Sequence, residues 1–360
     1  MINNMESYGY NEFYKKQVNS MGSSSEKLMA ARIIEAHREQ YKIMTKFGER
    51  TALLKGSKFY NEAAYADYPV IGDFVLVNYN PSGSDVIYEV LKRKSKFSRI
   101  DSFNGIEQIL ASNFDYVFIM TSLNYDLNAK RIDRYLTMAW ESGGIPIIVL
   151  TKADLCEDVA AVRDSLRHTI LDVPIIAVSS HTGEGIEELK QYIKPKTTVV
   201  FLGSSGVGKS SLVNAVAGEE IMKVSEIRED DSKGRHTTTH RQLIMMNNGT
   251  MVIDTPGMRE LGMWTSEGGI DNTFYDVESL ASKCKFTNCT HNNEPGCAVQ
   301  EALELGIISK ARWNNYIKLK KETEFALKKE KQIIHTREKK SKINKKKNCR
   351  RVDERDIYDY

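Results

Sequence analysis

Residues 203–210 read GSSGVGKS, a Gly-x-x-x-x-Gly-Lys-Ser spacing that suits a chain of phosphates. Gly203, Gly206 and Gly208 let successive backbone N–H groups turn inward around phosphate oxygens, and Ser204, Ser205, Val207 and Ser211 complete the cradle. Lys209 is expected to reach the β- and γ-phosphates and the Ser210 hydroxyl to ligate Mg²⁺. A β-favouring run, Thr198 to Leu202, precedes the loop, and a helical pattern through Leu212, Val213 and Val216 follows it. That strand–loop–helix setting is what the motif requires, and it implies binding of a nucleoside triphosphate.

The companion motifs stand in an unusual order. DTPG, Asp254 to Gly257, follows the loop and offers Asp254 to the magnesium shell and the Gly257 N–H to a γ-phosphate. TKAD, Thr151 to Asp154, precedes the loop instead of following it. Its Asp154 carboxylate is expected to accept from guanine N1–H and the 2-amino group, Lys152 to lie along the base, and Ala153 to complete the turn. Adenine lacks that donor pair, so the aspartate selects guanine. Thr151 stands where such motifs usually carry Asn, which is expected to remove a bracing amide and lower affinity. SSHTGEG, Ser179 to Gly185, is the loop expected to meet guanine O6 through the backbone at Ser179 and Ser180. The sheet is thus read in rotated order, as after a circular permutation, which is tolerable because the termini of compact domains often lie close together.

Between the phosphate loop and DTPG, the polar stretch DDSKGRHTTTH (230–240) fits a switch segment. One of Thr237, Thr238 and Thr239 is expected to ligate Mg²⁺, with Thr238 favoured. Met258 occupies the position where many GTPases place a water-orienting glutamine, and methionine cannot orient water. His236 is the nearest polar candidate for that role.

These loops need a scaffold. From residue 114, apolar runs (DYVFIMTS, IPIIVLTKAD, VPIIAVSSHTGEG) alternate with amphipathic helices at Lys130–Trp140, Asp158–Ile170 and Ile186–Ile193. The pattern argues for an α/β, doubly wound, mainly parallel sheet whose ligand loops follow the carboxyl ends of strands. Ahead of it, short strands at Tyr41–Phe47, Arg50–Lys55, Val70–Tyr79 and Val86–Lys92 read as an OB-fold β-barrel. Its aromatics (Tyr41, Phe59, Tyr60, Phe74, Tyr79, Tyr88) serve core filling individually more often than base stacking. Lys92, Arg93, Lys94, Lys96 and Arg99 are expected to form a basic edge.

Cys284, Cys289, His291 and Cys297 fall close together behind the nucleotide motifs. Three thiolates and an imidazole suit one structural, tetrahedral Zn²⁺. With 360 residues the chain has room for several domains, and the boundaries read as an N-terminal extension (1–36), the barrel (37–105), the permuted nucleotide domain (106–272), a helical zinc-binding domain (273–327) and a basic tail (328–360). Net charge is only +3, yet residues 328–351 carry twelve Lys or Arg against two Glu, so the remaining chain is acidic. A basic tail on an acidic body points to a polyanionic partner, and the tail is expected to be disordered alone. No apolar run is long enough to span a bilayer and the first residues lack a signal core, so no membrane association and a cytoplasmic location are expected.

Taken together, TKAD, SSHTGEG, GSSGVGKS, GRHTTT and DTPG in this order, a preceding barrel and the Cys284, Cys289, His291, Cys297 cluster resemble the ribosome small subunit-dependent GTPase A (RsgA) family across residues 37–327. The resemblance implies an OB-fold, a circularly permuted GTPase domain and a zinc-binding domain. It implies GTP hydrolysis stimulated by the small ribosomal subunit late in that subunit's maturation, contact with its rRNA, and His236 as the water-positioning residue. A monomer is expected. Two alternatives remain open on the residues alone: a P-loop ATPase or kinase, and an RNA-binding assembly factor with nucleotide as a structural ligand.

Overall fold

The computed structural model describes residues 4–22, 28–37, 40–55, 68–100, 107–124, 127–170, 172–222, 241–254, 267–292 and 294–355. His236, Thr237, Thr238, Thr239, Gly257, Met258, Phe59 and Tyr60 lie outside these residues, as does most of the MGSSSE connection. Helices α1 (Asn4–Ser7) and α2 (Glu12–Ser20) come first, the latter capped by the Asn11 side chain accepting from Phe13 N. Strands β1 (Met29–Ala36), β2 (Gln40–Thr45), β3 (Gly48–Leu54), β4 (Phe74–Asn78) and β5 (Asp85–Val90) follow.

Among the described residues these five strands close on themselves in the order β1-β2-β3-β5-β4-β1, with β3 and β5 parallel and the other pairs antiparallel. This is the OB-type closure, and it leaves no free edge. Alternate residues Ile33, Ile43, Ala52, Val75, Val77 and Ile87 fill the interior. At the β2–β3 turn the Thr45 hydroxyl accepts from Phe47 N at 3.0 Å and donates to Gly48 O at 2.9 Å, while Gly48 takes φ +101°. Tyr41 and Phe74 are buried, consistent with core filling, whereas Tyr79 is exposed and packs beside Phe47 at 4.9 Å between ring centroids.

Two sequence readings change here. Met29–Ala36, placed in a polar extension, is a barrel strand paired with both β2 and β4, and the helices before it dock on the barrel wall through Met5, Tyr14, Phe74, Leu76 and Leu91. Its Arg32 points away from the barrel interior that Ala31 and Ile33 fill, into the buried seam with the second sheet. The expected basic edge is also partly internal, because Arg93 turns inward onto the buried Asp73 at 2.7 Å.

Antiparallel strands β6 (Lys96–Ile100) and β7 (Glu107–Ser112) lead from the barrel into the second sheet. That sheet comprises β8 (Tyr116–Ser122), β9 (Ile145–Thr151), β10 (Ile175–Ala177), β11 (Thr198–Gly203), β12 (Gln242–Met245) and β13 (Met251–Asp254), in the order β10-β9-β8-β11-β13-β12, and it is continuous with the barrel through an antiparallel pairing of β12 with β1 at Gln242 and Glu35. All neighbours are parallel except β12, which runs antiparallel to β13. Helices α3 (Ala129–Ser142) and α4 (Val159–Arg167) cover one face, against Val117, Ile119, Ile148 and Leu150. Helices α5 (Ile186–Lys190) and α6 (Lys209–Ala217) cover the other, against Phe118, Met120, Ile147 and Val149. Successive residues of a strand point to opposite faces, which is why β8 and β9 are apolar almost throughout.

The last part is helical: α7 (Glu267–Thr273), α8 (Tyr275–Ala281), α9 (Ala298–Glu304) and α10 (Lys310–Arg355), with Ile270, Phe274, Val277, Ile308, Tyr316 and Leu319 as its core. The tail expected to be disordered is the continuation of α10, a helix of 46 residues. The chain carries no Gly or Pro after Gly306, and Lys, Arg, Glu and Gln are strong helix formers, so local propensity sustains the backbone without an apolar face. No helix among the described residues is long and apolar enough to cross a membrane.

Two buried arginines fasten the flanking units to the nucleotide sheet. Arg32, 1% exposed, donates to the carbonyls of Tyr8 (2.6 Å), Gly72 (3.2 Å) and Asn113 (2.9 Å) and to the Thr198 hydroxyl on β11 (3.0 Å). On the far side, Arg312 of α10 donates to Asp133 of α3 (2.7 Å), the Thr273 carbonyl (2.7 Å) and Asp276 (3.0 Å), and Asn315 donates to Asp133 (2.6 Å). Replacing Arg32 by methionine leaves several buried acceptors unmatched and is expected to lower unfolding stability by about 3 kcal/mol. Urea unfolding checks this; an unchanged midpoint at unchanged slope would show that apolar packing alone holds the barrel.

Candidate nucleotide site and metal centre

The ends of β8, β9, β10, β11 and β13 share one edge of the sheet, and the motif loops emerge there. The phosphate loop leaves β11 at Gly203, where a Cβ would lie 2.8 Å from the Met120 carbonyl of β8. Gly208, at φ +98°, caps α6 with no side-chain hydrogen bond, so the first amides of that helix face the loop without a side-chain competitor. Val207 is buried at 3% beneath the loop and anchors it to the core. Ser205 and Gly206 are exposed at its tip, and Ser204, Ser210 and Ser211 are half-buried.

The Lys209 ammonium meets the Asp254 carboxylate, which is 4% exposed at the end of β13. Loop lysine and DTPG aspartate thus converge on one spot, with Ser210 next in the chain. A carboxylate and a hydroxyl are oxygen donors suited to a hard cation such as Mg²⁺.

TKAD alternates between holding and presenting. Thr151 (2% exposed) and Ala153 (3%) are buried, and the Ala153 N–H donates to the Val178 carbonyl at 3.1 Å. Lys152, in the left-handed region at φ 57°, and Asp154 remain on the open side. The Ser179 hydroxyl donates to the Asp154 carboxylate at 2.5 Å and accepts from His181 N and Thr182 N at 3.2 and 3.1 Å. That bond holds the Asp154 carboxyl below its ordinary range. Gly185 closes the SSHTGEG loop at φ +72°, with a Cβ position 1.9 Å from the Ala177 carbonyl, so no other residue fits there.

The expectation for Thr151 changes. Its hydroxyl donates to the Val207 carbonyl of the phosphate loop at 2.6 Å, so a brace exists without an asparagine. Sequence reasoning also missed Asn214. Its amide donates to the Met222 carbonyl at 2.7 Å and its oxygen accepts from Ile221 N and Met222 N at 3.0 and 2.8 Å, fixing the chain just before the DDSKGRHTTTH segment. The only local signal was a polar residue within a short helix.

The ligand atoms of Cys284, Cys289, His291 and Cys297 all lie within 4.8 Å of one another. Cys284 and Cys297 Sγ are 4.0 Å apart, and His291 Nδ1 is 3.6 and 3.4 Å from them. Thiolates bound to Zn²⁺ at about 2.3 Å in a tetrahedron stand about 3.8 Å apart, so the donor set fits zinc in both chemistry and dimensions. Burial lowers the His291 pKa, which favours the neutral imidazole that a metal needs. The surrounding turn is built by Glu294, which accepts from Thr290 N (3.0 Å), the Thr290 hydroxyl and Asn292 N (2.7 Å). Gln300 donates to the His291 carbonyl, and Trp313 stands edge-on to the imidazole at 5.6 Å.

A family model described as RsgA GTPase matches residues 90–264. The chain is 46% identical over 318 residues to the small ribosomal subunit biogenesis GTPase RsgA 2 of Listeria monocytogenes serotype 4b, a match covering 88% of this chain and 89% of that protein. The solved structure of YjeQ from Thermotoga maritima aligns with a TM-score of 0.62 at 29% identity, covering 82% of this chain and 98% of that one. YloQ, a circularly permuted GTPase, aligns with a TM-score of 0.61 at 25% identity, covering 84% and 97%.

Two measurements follow from the geometry. Removing the Ser179 hydroxyl with Ser179→Ala lets the Asp154 pKa rise toward its ordinary value, so the carboxylate protonates at higher pH. The acid limb of GTP binding is therefore expected to move upward, and a titration of affinity against pH that shows identical limbs would separate Ser179 from Asp154. Metal analysis of protein purified without chelator is expected to find one zinc per chain, retained by the four ligands and lost with unfolding of the C-terminal helices on chelation. A metal-free, fully helical C-terminal domain would dispose of the site.

Proposed function

The chain belongs to the RsgA GTPase family, and on that premise we propose that it hydrolyses GTP as a switch in the late maturation of the small ribosomal subunit, with the subunit stimulating turnover. The observation that carries this reading is the convergence of TKAD, SSHTGEG, the phosphate loop and Asp254 on one edge of a permuted parallel sheet. An adenine-directed P-loop enzyme has no use for the Asp154 carboxylate, held by Ser179, whose acceptors match the two donors of guanine.

In this reading Asp154 accepts from guanine N1–H and the 2-amino group, Lys152 lies along the base, and the backbone at Ser179 and Ser180 meets O6. The amides from Gly203 through Ser211 cradle the phosphates, and Lys209 exchanges Asp254 for the β- and γ-phosphates. Ser210, Thr238 and Asp254 are the residues that would hold Mg²⁺, which when bound would neutralise charge developing on the phosphates. Gly257 N–H binds the γ-phosphate, and His236 orients the water that attacks phosphorus as the bond to the GDP oxygen breaks. Zinc at Cys284, Cys289, His291 and Cys297 is structural, since four protein ligands leave no open position.

The barrel and the basic end of α10, residues 328–351, are the proposed rRNA contacts, the latter through sequence-independent attraction to phosphates. The protein acts as a single chain in the cytoplasm. The proposed domain limits are 105, 272 and 327, and the barrel begins at β1, with Met29, in place of residue 37. Slow GTP turnover alone, strong stimulation by isolated small subunits and none by large subunits are expected. Subunit affinity should be higher with a nonhydrolysable GTP analogue than with GDP. Equal affinity in the two nucleotide states would remove the switch, and equal stimulation by both subunits would remove the partner.

A further inference from the structure

The β2–β3 and β4–β5 turns meet at one pole of the barrel. Arg50, on the same side of β3 as the interior residue Ala52, enters that pole and meets Asp85, whose side chain is fully buried. Its Nε donates to Asp85 Oδ2 at 2.9 Å and its Nη2 to Oδ1 at 3.1 Å. The same Nη2 reaches the Asn80 and Gly83 carbonyls at 2.6 and 3.0 Å, and Asn80 N donates to Asp85 Oδ1 at 2.9 Å. The guanidinium carbon stands 4.8 Å over the Tyr79 ring. Tyr79 in turn supports Phe47, with ring centroids 4.9 Å apart and planes at 39°. Both rings stay in solvent, Phe47 58% and Tyr79 39% exposed, which excludes core filling for Tyr79. Lys46 Nζ stands 4.9 Å over the Phe47 ring. Leaving two large aromatic rings in water is unfavourable, yet a buried ion pair and the turn hydrogen bonds hold them there in one arrangement.

We propose that Phe47 and Tyr79 form a platform on which one unpaired RNA base stacks, and that Lys46 moves from the Phe47 ring to the phosphate of that nucleotide. The inference rests on the reading of the barrel as an rRNA contact, and gives that contact a place and a mode. Every base offers a π face to an aromatic ring, so the platform senses that a base is free rather than which base it is. A base within a duplex has both faces covered by its neighbours, which restricts the site to single-stranded, looped or bulged RNA. An apolar peptide side chain would cover the rings but leave the Lys46 ammonium without an anion, whereas a nucleotide supplies π face and phosphate together. Arg50 stays in place, because Asp85 already neutralises it, and keeps Tyr79 from turning away.

The test measures binding of the full chain and its variants to small ribosomal subunits, to a short single-stranded RNA and to the corresponding duplex. Phe47→Ala is expected to bind the single strand and the subunit about tenfold more weakly, the loss of one base–aromatic stack, with no change for the duplex. Phe47→Leu keeps apolar bulk without a π face and should be nearly as weak, whereas Phe47→Trp should bind at least as tightly as the unaltered chain. Lys46→Ala should reduce the slope of log affinity against log salt by about 0.7, and Phe47→Ala should leave that slope unchanged. A single strand carrying iodouridine should photocrosslink to Phe47 or Tyr79. Full single-strand affinity in Phe47→Ala, or Phe47→Leu as tight as Phe47→Trp, overturns the proposal. So does a Phe47→Ala variant that loses subunit affinity yet binds the single strand normally, since the rings would then hold a ribosomal protein. GTP turnover by the unaltered chain with and without small subunits separates the two levels. Absent stimulation fails the functional reading, whereas stimulated turnover beside an unaffected Phe47→Ala sinks only the platform.

Discussion

A guanidinium buried where three parts of the chain meet sets the geometry of this protein. Arg32 sits on a barrel strand, yet its donors reach the N-terminal segment at Tyr8, the turn at Gly72, the Asn113 carbonyl ahead of β8 and the Thr198 hydroxyl at the start of β11. No carboxylate bonds it directly among the described residues, and burial pulls its pKa down to about 10, which still leaves it charged at neutral pH. Stripping a cation of water is costly unless fixed dipoles replace that water. Here carbonyls and a hydroxyl do so, and they are in place only when barrel and nucleotide sheet are docked in this one arrangement. Asn113 adds to the clasp: at φ 53° it accepts from the Tyr14 hydroxyl and Lys94 N, both at 2.9 Å.

The opposite flank uses paired charges instead. Arg312 lies between Asp133 and Asp276 over the Phe274 ring, and burial pushes the Asp133 carboxyl up even as Arg312 draws it down. Removing one partner of such a cluster strands the other, so the helical zinc-binding unit is committed to α3. A nucleotide-dependent swing of either flanking unit would have to break one of these buried polar clusters.

The nucleotide edge shows how a parallel sheet divides labour along a loop. Odd-numbered Thr151 and Ala153 turn inward and bind the loop to its neighbours, while Lys152 and Asp154 face out. Ser179, fully buried, keeps Asp154 aimed by gathering two backbone amides onto its oxygen while giving its proton to the carboxylate. The zinc turn follows the same logic. Glu294, brought to a pKa of about 2 chiefly by the Thr290 hydroxyl, organises the backbone between Cys289 and Cys297 without being needed as a ligand.

The chemistry was legible in the sequence because each motif is a local demand. A phosphate cradle needs Gly203, Gly208, Lys209 and Ser210 at fixed spacing, and a zinc turn needs Cys284, Cys289, His291 and Cys297 within a short stretch, whatever surrounds them. The apolar runs of β8, β9 and β11 likewise declared a doubly covered parallel sheet. Tertiary structure decided what depends on partners far away in the chain. Strand β1 was hidden because Arg32 and Glu35 put charges into a short run behind a polar segment, and a buried cation is intelligible only beside its acceptors at Gly72, Asn113 and Thr198. Asp133 and Arg312, 179 residues apart, look like two surface charges until folding removes the water between them. Thr151 looked like a loss for the same reason: its hydroxyl has value only once β9 and the phosphate loop lie side by side, and sequence spacing cannot say which carbonyl a proton will find.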